Sequence, residues 1–289
     1  VQGDAADVAL LEDLLVDCDH FIAGAALIGG ISYFHQFAYD LLAKNERIIA
    51  AACDAAIATQ KAGRPLKKVT YLSSSMVFES TDRWPSVEGD ERKVAPPLSS
   101  YGFQKLAVEY FAIAAWDQYK LPYTICRPFN CVGIGESRAL GGTKIKSGNV
   151  DLALSHVVPD IVQKILKGQS PLHLLGNGEQ IRHYTYGGDL ARGIVTAMQH
   201  PAATNEDFNL STAESTSVLE LAELIWKKIN GDKPFEVTFD NPYEHDVQKR
   251  IPSVEKAKTV LGFEATTSLS EMLDEVIPWI REAISQDLI

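Results

Sequence analysis

Lys68-Val-Thr-Tyr-Leu-Ser-Ser-Ser75 is a short apolar run that ends in three serines, and Tyr123-Thr-Ile-Cys-Arg127 is a second apolar run further along the chain. Between these runs, the apolar residues of 101–119 recur with the spacing of an α-helix. A strand, a helix and a second strand in this order are typical of a βαβ unit, in which the two strands run parallel. Because both runs are mostly apolar, we expect helices to cover the sheet on both faces.

The same alternation continues outward from this unit. Upstream, the pattern predicts a short helix at 10–15, a buried strand at 20–26 and a long helix at about 33–58. Downstream, it predicts a helix near 188–198 and a strand at 208–210 that returns to the sheet. The sequence therefore indicates an α/β fold built on a parallel sheet.

The pattern changes after Pro128-Phe-Asn130. A long glycine-rich loop is expected at 133–150 and a turn-rich stretch at 168–180. Further helices are predicted at 157–166, 217–229, 253–261 and 269–284. Ser217-Val-Leu-Glu220 is a capping box that marks the start of the second of these helices, and Gly262 marks the end of the third.

Composition and charge narrow the class of protein. The 289 residues include 46% hydrophobic residues, which excludes a disordered chain, and 38 acidic against 27 basic side chains give a formal net charge of −11. This balance argues against a nucleic-acid or membrane partner, but it leaves room for a local cationic pocket that holds a phosphorylated ligand. The four cysteines show no metal-ligand spacing, so we expect reduced, buried or half-buried thiols in a cytoplasmic protein.

Tyr101 and Lys105 are the first candidates for chemistry. Their i and i+4 spacing puts them on one helix face, where the ammonium can sit beside the phenol and favour the phenolate. Such help is needed, because a tyrosine with an ordinary pKa near 10 is a poor base at neutral pH. A hydroxyl from the serines at the strand end can hold the substrate oxygen that loses the proton. The same spacing also occurs on solvated helix faces, so it does not establish catalysis by itself.

The surrounding motifs carry a family resemblance. The order of a strand, Ser73-Ser-Ser75, an acidic loop, Tyr101-Gly-Phe-Gln-Lys105, a strand and Arg127-Pro-Phe-Asn130 resembles the extended short-chain dehydrogenase/reductase family. Within it, the chain is similar to the NAD-dependent nucleotide-sugar epimerases and dehydratases of the UDP-glucose 4-epimerase kind. Further matches are Gly3-Asp4, Ile22-Ala-Gly-Ala-Ala26, Asn45 and Gly176-Asn-Gly-Glu-Gln-Ile-Arg182 followed by Tyr184-Thr-Tyr-Gly-Gly-Asp189. The resemblance covers nearly the whole chain.

The resemblance implies a fold with two parts. Residues 1–133, with a return segment at 184–211, would form a Rossmann-type doubly wound parallel sheet that binds NAD. Residues 134–183 and 212–289 would form a smaller α/β domain that binds a nucleotide-diphosphate sugar. Placing Gly3-Asp4 after the third strand also implies that the glycine-rich phosphate loop and the first βαβ unit, about 50–60 residues, precede Val1.

The resemblance also assigns roles to residues. Tyr101 would be the general base and acid, Lys105 would lower its pKa and hold the nicotinamide ribose, and Ser74 would bind the reacting sugar oxygen. The other NAD contacts would be Asp4, Ala23, Gly24, Asn45 and Pro128. The substrate contacts would be Ser75, Asn130, His156, Arg182 and Arg250. Of these, Asn130 and Arg182 would meet the diphosphate, an anion that suits a bidentate guanidinium.

Some of these assignments keep an alternative. His156 fits a polar substrate contact and an ordinary surface or core histidine equally well. Tyr243-Glu-His-Asp246 stands where many epimerases have Arg-x-Gly-Asp, so Lys249 or Arg250 either replaces the lost arginine or belongs to a solvated basic pair. Phe78-Glu79 replaces the usual Tyr-Gly turn, which leaves the local geometry after Ser75 open.

The two residues that follow Ser74 narrow the choice of reaction. Dehydratases of the family carry an Asp-Glu pair there, and decarboxylases keep the Glu, whereas this chain has Ser75 and Met76. Methionine transfers no proton, so the sequence favours C4 epimerisation through a transient 4-keto sugar. The alternatives are an NAD(P)-dependent sugar or carbonyl oxidoreductase and a non-catalytic cofactor-binding regulatory protein. The Ala-rich stretches 50–58 and 107–115 suggest, by analogy with the family, a homodimer formed through the helices that carry Asn45 and Tyr101.

Overall fold

The structure, a computed structural model, describes residues 1–30, 36–136, 144–153, 155–242 and 246–289. Its first part alternates helices and strands, and two 3₁₀ turns lie at Ser75–Phe78 and Asp90–Arg92. The elements are α1 (Val8–Leu15), β1 (His20–Ala23), α2 (Ala38–Lys61), β2 (Lys68–Leu72), α3 (Ser100–Tyr119), β3 (Tyr123–Pro128) and β4 (Cys131–Val132).

The second part, after β4, has mostly short strands, and its longest described helix is shorter than α2 and α3. Its elements are β5 (Lys144–Ser147), β6 (Val150–Ala153), α4 (Val157–Leu166), β7 (Leu172–Leu175), β8 (Ile181–Arg182), β9 (Thr185–Tyr186), α5 (Gly187–Gln199), β10 (Glu206–Leu210), β11 (Thr216–Ser217), α6 (Val218–Asn230), β12 (Val237–Asp240), α7 (Glu255–Leu261) and α8 (Leu269–Ser285). None of the helices in the described ranges is both long enough and apolar enough to cross a bilayer.

A parallel sheet in the order β1-β2-β3-β10 forms the centre of the fold. Val69 and Tyr71 of β2 are fully buried, because one apolar cluster packs α1, α2 and α3 on one face of the sheet. A second cluster packs α5 and α7 on the other face, against Phe208 and Leu210 of β10. The predicted doubly wound parallel sheet is confirmed, and the predicted return strand pairs with β3.

A separate apolar cluster packs the three described helices of the second part that do not cover the main sheet. It joins α4, α6 and α8, and its members include Ile161, Ile225, Trp226 and Val276. The capping box of Ser217 and Glu220 is present at the start of α6, as predicted. Gly262 ends α7 with φ of +65°, in the left-handed region that suits glycine.

Four sequence predictions about local structure were wrong in part. The stretch 133–150 is not all loop, since its end belongs to the β5-β6 hairpin, and the stretch 168–180 contains β7. β7 pairs in parallel with β12, some 65 residues later, and a partner so distant leaves no local signal. β1 ends at Ala23 rather than at residue 26, and α7 begins at Glu255. The long helix is described from Ala38 to Lys61, while 31–35 lie outside the described residues.

Burial corrects the expectation for the cysteines in part. Cys53 and Cys126 are buried as expected, but Cys18 and Cys131 are exposed. Glu91, in the acidic loop before α3, is 1% exposed. It is buried because Arg127, which is also inaccessible, lies 3.3 Å from its carboxylate.

Candidate active site

Ser74 stands where the polypeptide leaves the carboxyl end of β2. It caps the 3₁₀ turn Ser75–Phe78, because its Oγ accepts the backbone N–H of Met76 at 3.2 Å. Ser74 is 8% exposed, and the neighbouring Ser75 is buried too. Since the Met76 amide occupies an acceptor site on the oxygen, the Ser74 hydroxyl hydrogen is left to donate elsewhere.

Tyr101 lies in the first turn of α3 and is hydrogen-bonded to the Ser74 side chain. The residue as a whole is partly exposed, but its phenol lies in the protein interior, and this burial raises its pKa above the ordinary value. The Ser74 hydrogen bond and the charge of Arg250 act in the opposite direction and offset part of the rise. The phenol is therefore protonated at neutral pH in the protein as it stands, with its oxygen held on a serine hydroxyl.

Lys105 follows one turn later on the same helix. It is 5% exposed, its Nζ donates to the carbonyl of Leu72 at 2.9 Å, and the same atom lies 5.9 Å from the centroid of the Tyr101 ring. Burial lowers the pKa of Lys105 to about 8. The structure thus brings together the three residues predicted to be catalytic, at the end of β2 and the start of α3.

Two arginines form a cationic centre near Tyr101: Arg182 is buried, and Arg250 is half-buried as a residue but has a buried Nε. Arg182 donates to the carbonyl of Ile181 at 2.9 Å and lies 3.5 Å from the carboxylate of Asp246. Arg250 donates to Asn130 Oδ1 at 3.5 Å, and its Nε has no hydrogen-bond partner among the described residues. Burial, followed by the like charge of Arg182, lowers the pKa of Arg250 to about 9. Two guanidinium groups with one directly paired carboxylate, Asp246, among the described residues leave a surplus of positive charge, which suits an anionic ligand.

The structure separates Arg250 from its neighbour Lys249. Lys249 is exposed, and its Nζ lies 5.4 Å from the ring centroid of Trp84 on the surface. The two residues are therefore not one solvated basic pair. Arg250, unlike Lys249, lies beside Arg182 and Asn130. Tyr243-Glu-His245, most of the segment that departs from the epimerase pattern, lies outside the described residues.

Tyr184 belongs to this centre, although no role was predicted for it. Its hydroxyl is buried without a hydrogen-bond partner among the described residues. Burial raises the pKa of Tyr184 to about 12, against a lowering by the charges of Arg182 and Arg250. The signal in the sequence was its position two residues after Arg182, since alternate residues of an extended chain point to the same side.

The residues expected to contact NAD lie at the ends of adjacent strands, with two exceptions. Ala23 ends β1, Gly24 packs against Leu72, and Pro128 ends β3. Asn45 is buried in α2, and its amide makes two hydrogen bonds with the backbone of Leu27, at 2.7 and 2.9 Å. Asp4 is exposed ahead of α1 and accepts the amide of Ala6. The crevice at the carboxyl ends of parallel strands is where open α/β sheets bind ligands.

His156, a predicted substrate contact, is held by Glu136. It caps α4, and its Nδ1 lies 2.8 Å from the carboxylate of Glu136, which also accepts its backbone N–H at 3.0 Å. These contacts with Glu136 account for its orientation without a ligand. Both readings of His156 stay open, and its contact with substrate remains a prediction.

A parallel α/β sheet with Ser, Tyr and Lys converging at its strand ends defines a class of dinucleotide-dependent enzymes. Residues 1–211 match the NAD dependent epimerase/dehydratase family, and the chain belongs to that family. A Methanocaldococcus jannaschii protein, provisionally named a UDP-glucose 4-epimerase, is 30% identical over 216 residues, which are 75% of this chain and 64% of that protein. This chain therefore spans less than two thirds of the length of that relative.

Solved structures share the fold over the whole chain. The UDP-glucose 4-epimerase of Thermotoga maritima, crystallised with UDP-glucose, superposes with a TM-score of 0.80 at 24% identity, over 98% of this chain and 84% of that chain. The dTDP-glucose 4,6-dehydratase of Streptomyces venezuelae, crystallised with NAD, gives 0.81 at 21% identity, over 100% and 82%. UDP-glucuronic acid decarboxylases also match in sequence. Similarity alone therefore does not choose between epimerisation, dehydration and decarboxylation.

The residues present fit the nicotinamide-ribose half of NAD, the cofactor on which the family depends. A lysine ammonium has three N–H donors, and the Leu72 carbonyl takes one of those of Lys105. A buried ammonium with donors to spare next to Tyr101 suits a pair of ribose hydroxyls. Within the described ranges, no group of three or more His, Cys, Asp or Glu side chains is placed to hold a metal ion.

Proposed function

We propose that this chain carries the catalytic site of an NAD-dependent nucleotide-sugar epimerase, which acts at C4 through a transient 4-keto sugar. The observation that carries the proposal is the hydrogen bond between Ser74 and Tyr101, with the buried Lys105 amine beside it. A general base has to lie within hydrogen-bond reach of the proton that it removes. Ser74 and Tyr101 together can receive one hydroxyl of a sugar at that point.

The proton steps follow from these residues. Bound NAD supplies the hydride acceptor, and in its reduced form the hydride donor. Tyr101, once ionised, removes the proton from the C4 hydroxyl while Ser74 donates a hydrogen bond to the same oxygen. When the ketone has turned in the pocket, Tyr101 returns its proton to that oxygen, so the net reaction changes only the configuration of C4. The Lys105 ammonium supports the ionised state of Tyr101 in the first step.

Tyr101 needs this support, because burial holds its pKa above the ordinary value. A phenol with a raised pKa is almost fully protonated at neutral pH, so little of the phenolate that acts as the base is present. Positive charge near the phenol is then required for the oxidation step, and Lys105 and Arg250 are the nearby cations of this chain. Tyr101 can therefore act as the base in the first proton transfer only when nearby positive charge stabilises its phenolate.

The nucleotide diphosphate is the anion that we assign to the arginine centre. Among the described residues, Asp246 is the carboxylate paired with Arg182, and the charges of Asp246 and Glu79 both act on Arg250. The amide of Asn130 and the hydroxyl of Tyr184 lie at the same place. Charge-assisted hydrogen bonds to phosphate are about twice as strong as neutral ones, and they repay the cost of keeping guanidinium groups away from water. Because Arg250 is also near Tyr101, a diphosphate bound here places the attached sugar at the catalytic residues.

The choice of epimerisation rests on Ser75 and Met76. Both side chains are buried directly after Ser74, and neither is an acid or base near neutral pH. Water loss or decarboxylation needs such a group beside the sugar. Epimerisation leaves the cofactor in its starting redox state, whereas the alternative oxidoreductase produces a net change of NAD(H).

We also propose a homodimer in the cytoplasm. α2 and α3 pack side by side, and α3 presents Phe103 and Tyr110 to solvent at 49% and 56% exposure. Leu106, Ala107, Phe111 and Ala114 line the same surface, which is almost entirely apolar. A second copy that packs its own α2 and α3 here would cover the surface with a four-helix bundle, as apolar patches of this kind require.

The test is turnover by the full-length protein of a panel of UDP-, GDP- and dTDP-sugars, with products resolved as C4 epimers. We expect one or more sugars to be converted to the C4 epimer with no net change in NADH absorbance. Stoichiometric NADH formation would instead establish the oxidoreductase. A protein that binds NAD yet converts none of these sugars would refute the epimerase proposal and favour the regulatory alternative.

A further inference from the structure

Two helices outside the active site show how this chain caps a helix with a glutamate. At the start of α8, the Ser268 backbone N–H and hydroxyl both donate to Glu271 Oε2, at 2.8 and 2.6 Å. The Ser268 oxygen in turn accepts the Glu271 backbone N–H at 3.3 Å. α6 begins in the same way with Ser217 and Glu220. In both helices the carboxylate comes from the third residue of the helix itself, which is the ordinary capping box.

The helix that carries Tyr101 has the same bonds but a different source of the carboxylate. Ser99 caps α3, and its Oγ accepts the backbone N–H of Gly102 at 3.0 Å. Gly102 is the third residue of the helix, so no side chain is present there to complete the box. Instead, Glu79 Oε2 accepts the Ser99 backbone N–H at 3.0 Å and the Ser99 hydroxyl at 2.9 Å. Glu79 precedes Ser99 by 20 residues.

Packing explains why α3 does not supply its own carboxylate. A Cβ placed on Gly102 would lie 2.6 Å from Pro97 Cβ, 2.8 Å from Glu79 Oε2 and 2.9 Å from the Met76 carbonyl oxygen. Real Cβ atoms do not approach other atoms so closely, and two of these neighbours are fixed in the chain. The segment that carries Met76 and Glu79 therefore occupies the space that a glutamate at position 102 would need.

This arrangement ties the two halves of the active site together. Ser74 begins the 3₁₀ turn, and Glu79 ends it by donating its N–H to the Met76 carbonyl at 3.1 Å. On the facing element, Ser99 caps α3 and Tyr101 stands two residues later. One hydrogen bond joins Ser74, at the start of the turn, to Tyr101, and the Glu79 carboxylate, at the end of the turn, binds Ser99 at the same end of α3. The four residues thus form a closed ring around the two reacting hydroxyl groups.

We propose that Glu79 is a positioning residue for catalysis: its carboxylate completes a split capping box that holds Tyr101 against Ser74. The contacts of Glu79 do not depend on which reaction the site catalyses, whereas its effect on kcat rests on the proposed function. A carboxylate suits this place because it accepts two N–H or O–H bonds at once at a helix N-terminus, where negative charge is also favourable. It accounts for the departure from the Tyr-Gly turn, since a glycine at 79 would leave the Ser99 donors without this acceptor.

The test compares three variants of the full-length protein: Glu79→Ala, Glu79→Gln and Glu271→Ala. Glu79→Ala removes the acceptor, while the Gln side-chain oxygen can still accept both Ser99 donors. Glu271→Ala removes the same two bonds from a helix cap outside the active site, so it is the matched control. We expect Glu79→Ala to lower kcat by about 10–100-fold with KM within about twofold, since a small displacement of a reacting group costs this much. Glu79→Gln should keep kcat within about threefold of the wild-type value, and Glu271→Ala should keep kcat unchanged.

A structural measurement keeps this inference separate from the proposed function. Hydrogen exchange of the Gly102 amide, which is bonded to Ser99, can be followed without substrate or turnover. It should be about fivefold faster or more in Glu79→Ala and near the wild-type rate in Glu79→Gln, as a lost cap of about 1 kcal/mol implies. Unchanged Gly102 exchange would overturn the inference even if the enzyme epimerises sugars, and so would equal kcat losses in Glu79→Ala and Glu271→Ala. If no sugar is converted at all, the epimerase proposal fails, and the Gly102 exchange alone decides the role of Glu79.

Discussion

Arg127 and Glu109 form a buried, two-point ion pair between β3 and the helix that carries Tyr101. Arg127 Nε and one terminal nitrogen each lie 2.7 Å from a carboxylate oxygen of Glu109, and both side chains are almost inaccessible to water. Glu109 also accepts the hydroxyl of Ser73, the residue before Ser74, at 2.5 Å. The pair therefore connects the strand end, the helix and β3 in one buried network.

Removing the Arg127 charge should destabilise the protein strongly. Arg127→Met leaves the carboxylates of Glu109, Glu91 and Asp207 close together without their shared cation. Breaking a buried ion pair by removing one partner costs about 3–5 kcal/mol, and urea denaturation should show a loss of that size in the free energy of unfolding. The control is Lys67→Met, which breaks a pair with Asp19 on the surface and should cost less than about 1 kcal/mol. Equal losses in the two variants would contradict this account of the network.

Tyr101→Phe should abolish most of the turnover without preventing binding. The substitution removes only the hydroxyl that is bonded to Ser74, and a positioned acid-base group contributes about 10²–10⁴-fold to the rate. We expect kcat for C4 epimerisation to fall by that factor while the Kd of the nucleotide sugar stays within about threefold. Tyr110→Phe is the control, because Tyr110 lies on the same helix but is 56% exposed. If Tyr101→Phe retains wild-type kcat, Tyr101 is not the catalytic base.

Lys105 should make the free energy of unfolding rise with pH between about pH 8 and pH 10.5. Burial lowers its pKa from 10.5 to about 8, so between these values the unfolded chain holds a proton that the folded protein has released. Stability rises with pH wherever the unfolded state binds more protons, and the rise for this shift is about 3 kcal/mol. The difference in unfolding free energy between wild type and Lys105→Met should therefore grow in favour of wild type from about pH 8 to pH 10.5 and then level off. If the difference in unfolding free energy between the two proteins does not change with pH, the Lys105 amine is not desolvated in the folded protein.

The sequence predicted the parts of the site that depend on neighbours in the chain. Helical spacing puts Tyr101 and Lys105 on one face, and an apolar strand ends in three serines, of which the family resemblance singles out Ser74. Glu79 and Glu91 were not predicted as the partners of Ser99 and Arg127, because these contacts depend on how distant segments pack. Local pattern describes an acidic loop as solvated unless the arginine that meets it in space is known.

The same limit applied to the second part of the fold. The helices of that part show the 3.6-residue period and were predicted, including the cap at Ser217. β7 and β12 are four residues each, and their pairing joins residues some 65 positions apart. Such short strands have no period of their own to detect. These strands form because they pack against the cluster of α4, α6 and α8.

Arg250 and its chain neighbour Lys249 should differ sharply in their contribution to binding a nucleoside diphosphate. Arg250→Met should weaken binding of UDP or another nucleoside diphosphate by about 10–100-fold, because hydrogen bonds to charged groups contribute about 1.5–3 kcal/mol each. Lys249→Met should change the Kd by less than about twofold, since Lys249 is exposed and faces Trp84. Isothermal titration calorimetry on each variant measures this directly and requires no turnover. If Lys249→Met weakens binding as much as Arg250→Met does, the positive charge acts as a diffuse surface field, and the pair of Arg182 and Arg250 is not the diphosphate site.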